Sequence, residues 1–112
     1  MKRKGVLRNK EDFARLRSKG KSFGSKYAVL VVLQNKLEYS RKAFLASKKV
    51  GNSVQRHRAA RLLRESLRLI EKERDIPSGM DYLLIAKPAI NDSKCADVKK
   101  AIEAAMMKAG LF

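Results

Sequence analysis

Between Asn52 and Arg74 the chain carries one long helical pattern whose two sides differ sharply. Set around a helix at about 100° per residue with Leu63 as origin, Ala59, Ala60, Leu67 and Ile70 fall within roughly 60° of it. Arg58, Arg61, Arg68 and Lys72 fall within roughly 40° of the opposite pole, with His57 and Arg64 just beside them. Burying the apolar side is worth about 1.5–3 kcal/mol per large side chain, and that burial decides where the arginines point. One side packs and the other presents cations. Asn52 or Ser53 can cap the helix, and Pro77 and Gly79 break the chain beyond it.

The other elements follow from the same kind of pattern. Asn9 is an N-cap candidate, with Asp12 in a capping-box-like position. The helix it opens runs through Phe13 and Leu16 and stops at Gly20, whose missing side chain suits a left-handed C-terminal residue. Tyr27 to Leu33 is a continuous apolar, β-branched run, which predicts a strand covered on both faces. Residues 34–42 are polar and fit a hairpin loop leading to a second strand at 43–47. Residues 81–86 form a third strand. Residues 91–93 cap a last helix that carries Val98, Ala101, Ile102, Ala105 and Met106 on one stripe. Residues 1–8 read as a basic arm. At 112 residues the chain is one domain, residues 1–112, able to bury roughly two-thirds of its unfolded surface.

Charge narrows the function. The formal net charge is +16, and all of it lies in residues 1–64, where nineteen Lys and Arg face three acids. From Glu65 onward eight basic residues balance eight acidic ones. No Asp or Glu occurs between Glu38 and Glu65, so nothing neutralises the stretch from Lys48 and Lys49 through Gly51, Asn52 and the arginine face. Self-repulsion on that scale destabilises a compact chain unless a polyanion offsets it, so nucleic acid, RNA first, is the expected partner. Free N–H groups around Ser53 to Gln55 add an anion site at the helix start, where Arg56 can reach past the helix end. Hydrophobic content of 45% excludes a disordered basic tail. No apolar run approaches the ~20 residues of a membrane span, so no membrane partner is expected. Lys2-Arg3-Lys4 precedes no apolar stretch, so no signal peptide is expected. The single cysteine, Cys95, suits a reducing cytoplasm.

Catalytic and metal signals are absent from the pattern. His57, the only histidine, has no visible nucleophile or orienting group, which favours hydrogen bonding or RNA contact over base catalysis. Cys95 has no second Cys or His nearby for zinc and reads as a half-buried spectator. Asp92, Asp97 and Glu103 read as caps and solvated positions. Gly51 is a turn residue, since neither a Walker pattern nor G-x-G-x-x-G is present. Phe13, Phe23, Tyr27 and Phe44 are either core or platforms for unpaired bases. No catalytic residue, no metal ligand and no protein-bound cofactor is expected. A ribosomal or chaperone-type RNA-binding protein shares this charge. A helix-turn-helix DNA reader does not fit, because a strand precedes the arginine helix.

Lys48-Lys49-Val50-Gly51-Asn52, Arg56-His57-Arg58 and Arg61-Leu62-Leu63-Arg64-Glu65 together resemble the central motif of the bacterial ribonuclease P protein family. That motif is Ser-Lys-Lys, an apolar residue, Gly, a spacer, then Arg-Asn-Arg with further arginines at helical spacing. Asn9 to Phe13, the strand from Tyr27, and Asp81 to Pro88 are similar to the family in the right order. His57 stands where the family usually has Asn, and Ala60 where a basic residue is common.

The resemblance implies an α/β single-domain two-layer sandwich in the order α-β-β-α-β-α, like the second domain of a ribosomal small-subunit protein. It implies a left-handed βαβ crossover, where connection rules alone favour the right hand. It further implies a protein subunit that binds a catalytic RNA subunit and helps it remove the 5′ leader of precursor tRNA. The chemistry and the Mg²⁺ would belong to that RNA. Lys48, Lys49, Asn52, Arg56, His57, Arg58, Arg61, Arg64 and Arg68 would meet the RNA subunit, and Phe13, Arg17 and Val31 would line a cleft for the leader.

Overall fold

The computed structural model describes Leu7 and residues 9–112. In chain order the elements are α1 (Lys10–Lys19), β1 (Lys21–Gly24), β2 (Ala28–Gln34), β3 (Arg41–Ala46), α2 (Ser53–Glu73), β4 (Met80–Ala86), a 3-10 turn (Pro88–Asp92) and α3 (Cys95–Lys108). The strands form one sheet in the order β1-β2-β4-β3, antiparallel except for the β3–β4 pair. α2 is therefore the crossover between two adjacent parallel strands, and a strand does precede it. The order expected from sequence gains one element, β1. Its four residues, Lys-Ser-Phe-Gly, are mostly exposed and carry little apolar signal. They hold their place through the register with β2, Lys21 opposite Val32 and Gly24 opposite Val29.

Alternation along the strands sorts side chains between two clusters. Ala28, Leu30 and Val32 of β2 and Tyr82, Leu84 and Ala86 of β4 pack with Ala59, Leu63, Leu67 and Ile70 of α2 and Val98, Ile102, Ala105 and Met106 of α3. The opposite face carries Val31, Ala43 and Leu83 beneath Leu16 of α1. The strand from residue 28 is thus covered on both faces, as its unbroken apolar run predicts. The main sandwich has two layers, and α1 adds a partial third. Leu7 joins the α1-side cluster at 4% exposure, and its N–H donates to the Lys42 carbonyl at 2.9 Å. Leu7 is thus packed against the sheet; residues 1–6 and 8 of the expected basic arm lie outside the described residues.

Helix ends show where local reading succeeds. Asn52 caps α2 in a full capping box, its Oδ1 accepting from Gln55 N–H while Gln55 Oε1 accepts from Asn52 N–H, each at 2.9 Å. Asn9 caps α1 by accepting from Glu11 N–H. Asp12 forms no capping box there and instead pairs with Arg41 at 3.0 Å. Gly20 is extended (φ −70°, ψ 157°) instead of left-handed. Glycine is required because a Cβ would collide with the Leu16 carbonyl oxygen and sit 2.8 Å from Val31 Cγ1.

The α1 side is pinned by one buried carboxylate. Asp81 is fully buried and accepts from Arg41 Nε at 2.9 Å, Arg41 Nη2 at 2.7 Å, Arg15 Nη2 at 3.3 Å and Asn35 Nδ2 at 2.9 Å. The Asp81 hydrogen bonds raise the Arg41 pKa further above its ordinary value, with Asp12 adding to the effect. Removing one member of a buried pair strands the other charge, so Asp81→Ala is expected to destabilise by about 3–5 kcal/mol. Leu63→Ala, which empties a fully buried position, is expected to lose about 2–5 kcal/mol. Urea unfolding checks both, and a loss under about 1 kcal/mol for Asp81→Ala would mean the network carries no weight.

Candidate nucleic-acid interface

The turn from Ser47 to Asn52 sets the cations at the mouth of α2. Val50 N–H donates to Ser47 O at 3.0 Å and Gly51 N–H to Lys48 O at 3.2 Å, which folds the two lysines outward. Val50 is buried, and its carbonyl accepts from Asn91 Nδ2 at 2.6 Å, so the turn is anchored at its base. Gly51 has φ +143°, and a Cβ there would collide with Gln55 Oε1, the capping acceptor. Lys48 and Lys49 are exposed on this turn. Asn52, a candidate RNA contact from sequence, spends its side-chain oxygen on the cap.

The arginine face is real, but its members are not equivalent. Arg56 folds back, donating to Ser53 Oγ at 3.4 Å. Arg58 reaches the start of α3, where it donates to the carbonyls of Ile90 at 3.3 Å, Asn91 at 3.4 Å and Ser93 at 3.0 Å. It clamps the 3-10 turn to α2. Arg64 lies over the Phe44 ring, 5.4 Å from its centroid. Arg68 pairs with Glu65, whose carboxyl that hydrogen bond holds below the usual carboxylate range. An approaching phosphate must therefore compete with a resident anion at Arg68. Arg61, His57, Lys48 and Lys49 are exposed and make no ion pair among the described residues.

A second cationic surface lies between α1 and the β3 edge. A groove of about 450 Å³ is lined by Lys10, Phe13, Ala14, Arg17 and Leu45. Phe13 is half-buried and Arg17 exposed, so one side presents a ring and the other a charge. From Leu45 the apolar surface continues through Ile85 and Val29, which stand beside one another in register across β3, β4 and β2. All three are half-buried. Val31 does not line this groove: at 5% exposure it packs with Leu16 under α1. Its odd position in β2 faces α1, where Leu16 and the close approach of Gly20 cover it. Lys10, Leu45, Ile85 and Val29 were not singled out from sequence. The signal for the last three was the period-two alternation opposite the α2 face, which points them to the α1 side. Among the described residues no group of three His, Cys, Asp or Glu side chains is placed to hold a metal ion.

Comparison with known proteins places the chain, over nearly its whole length, beside one family. A family model described as Ribonuclease P matches residues 1–110. The chain is 39% identical to the ribonuclease P protein component of Clostridioides difficile (strain 630) over 97 residues, 87% of this chain and 84% of that protein. It is 36% identical to the same component of Clostridium botulinum (strain Loch Maree / Type A3), covering 100% of this chain and 99% of the relative. In fold it is similar to a Staphylococcus aureus RNase P protein, with a TM-score of 0.84 at 24% identity over 98% of this chain and 99% of that one. An RNase P protein from Thermotoga maritima matches with a TM-score of 0.79 at 24% identity, covering 92% and 96%.

The unequal roles along α2 predict a split that a helical wheel does not. Arg58→Ala removes charge-assisted bonds to three carbonyls and is expected to destabilise by about 1–3 kcal/mol. Arg61→Ala should stay within about 0.5 kcal/mol of wild type. Thermal melting of the two variants checks this, and equal melting temperatures would show that the Arg58 clamp contributes nothing.

Proposed function

The chain belongs to the ribonuclease P protein family, and we propose that two of its surfaces divide the family's work, the mouth of α2 holding the catalytic RNA subunit and the α1 groove holding the 5′ leader of precursor tRNA. As a bacterial ribonuclease P protein component it assists the RNA subunit in tRNA 5′ leader processing, and catalysis belongs to that RNA. The observation that carries the proposal is the set of exposed cations without ion-pair partners among the described residues, Lys48, Lys49 and Arg61, with the His57 imidazole beside them, inside a stretch that holds no carboxylate from 39 to 64. Phosphates replace the counterions of such a surface and release them, which gives affinity that falls with salt.

The same charge argument gives the division of labour with Mg²⁺, the cation we assign to the RNA subunit. Two polyanions, RNA subunit and precursor tRNA, must approach each other, and a cationic protein between them lowers the ion concentration this requires. Residues 1–112 act in this reading as a single RNA-binding domain working in the cytoplasm. No helix among the described residues is long and apolar enough to cross a membrane. The direct test is reconstitution. Protein alone is expected to leave precursor tRNA intact, and protein added to the RNA subunit is expected to restore cleavage at physiological Mg²⁺. Robust cleavage by nuclease-free protein without RNA would sink it.

In the leader groove an unpaired base can stack on Phe13 while Arg17 and Lys10 meet its phosphates; stacking contributes about 1–3 kcal/mol per base. Phe13→Leu is expected to weaken binding of precursor tRNA by the holoenzyme and leave mature tRNA unaffected, with little change in melting temperature. Equal losses for the two substrates, or a large drop in melting temperature, would make Phe13 a core residue and put the leader elsewhere.

A further inference from the structure

The α2 surface holds something that phosphate binding does not need. Between the first three turns of α2 and the start of α3 lies a groove of about 760 Å³, within the range that small organic ligands occupy. Its apolar lining is Val54, Leu62 and Cys95, and its cations are Arg58 and Arg61, with the His57 imidazole beside them. Val54 is 78% exposed, while Leu62 and Cys95 are half-buried. A single exposed valine needs no explanation, but here it is continuous with two further apolar side chains in a concave surface. Glu65 also lines the groove, and Arg68 already neutralises it. The first turn of α2 holds no acidic residue, so its free N–H groups and Arg61 present positive potential at the groove mouth.

We propose that this groove receives an unpaired base of the RNA subunit, its flat apolar face against Val54 and Leu62 and its flanking phosphates on Arg61 and the α2 N-terminus. RNA is read in this way where bases are splayed from their strand, since every base combines an apolar face with a charged backbone. Charge complementarity selects a polyanion, and the apolar lining selects the part of it that is not charged. The inference rests on the assignment of the α2 face to the RNA subunit and adds a base-sized contact to it.

Cys95 is the only thiol in the chain and makes the groove directly observable. In the protein–RNA complex, alkylation of Cys95 by iodoacetamide is expected to slow at least about tenfold relative to free protein. A Cys95 that alkylates at the free rate in the saturated complex overturns the proposal, and is also the result expected if the occupant were another protein. Val54→Ser, checked for an unchanged melting temperature and repeated as Val54→Ala, is expected to weaken RNA binding about five- to tenfold, the worth of a methyl or two withdrawn from water. Its salt slope should stay at the wild-type value, whereas Arg61→Ala should lower the slope by about one. Wild-type affinity in both Val54 variants overturns the proposal whatever the thiol does. If Arg61→Ala still loses slope in that case, the phosphate contact stands and only the base contact fails. If Arg61→Ala is neutral as well, the assignment of the α2 face itself is wrong.

Discussion

The carboxylate of Asp81 is the fixed point of the α1 side of this molecule. It sits in β4, fully buried, and four N–H donors from α1, β3 and the loop after β2 converge on it. Burying a charge is tolerable only when its lone pairs are satisfied, so each donor must reach its place for the carboxylate to stay ionised. Arg41 also binds Asp12 through both terminal nitrogens. That second pair fixes the rotation of α1 about its own axis, since Asp12 and Arg15 must both face the sheet end. Phe13 and Arg17 then have to lie over Leu45 at the β3 edge. The groove is thus a consequence of an ion pair some distance from it.

On the other face the constraint is apolar. Leu63, Leu67 and Ile70 are buried against β2, β4 and α3, so α2 cannot rotate without exposing them. Its remaining circumference is divided by what stands beside it. The 3-10 turn ahead of α3 and the Ser93 that ends it capture Arg58 through three carbonyls, and β3 offers the Phe44 ring to Arg64. The arc between them keeps Arg61 and His57 open. A cation stacked on a ring keeps its charge available, whereas one committed to carbonyls has fewer donors left for phosphate. The arginine run therefore performs two tasks at once, and neighbours in space decide which residue performs which.

Much of this could be read from residue order. The 3.6-residue stripe of α2, a cap at Asn52 or Ser53 and the two-faced apolar strand all follow from local pattern, and the structure repeats them with Asn52 as the cap. What could not be read shares one cause: it depends on contacts distant in sequence. β1 is four mostly polar residues that become a strand only because β2 has an edge to offer. Gly20 read as a left-handed stop is a glycine of close approach, hemmed in by the Leu16 carbonyl of its own helix and by Val31 eleven residues later. Asp12 read as a capping residue is drawn off by Arg41. A wheel leaves Arg58 free because it contains no 3-10 turn to bind it. The burial of Val31 beside Leu16 is hidden for the same reason, since the strand pattern shows which face it takes but not how far α1 extends over it.

The distribution of pairing gives these exceptions a common physical sense. Most cations that bridge elements of the folded scaffold are matched by a carboxylate: Arg41 and Arg15 by Asp81, Lys42 by Glu71, Arg74 by Glu103, Lys99 by Glu73 and Glu103. Those pairs hold elements together locally and leave no net field. Several cations are left unmatched on protruding features, the Ser47–Asn52 turn and the first turns of α2, where solvent screens their mutual repulsion and a polyanion can replace the screening ions. Such an arrangement keeps the repulsion of a chain of net charge +16 away from its core and leaves that charge open to a polyanion. Had the excess been spread evenly, repulsion would act through the core. Had it been paired throughout, nothing would be left to bind.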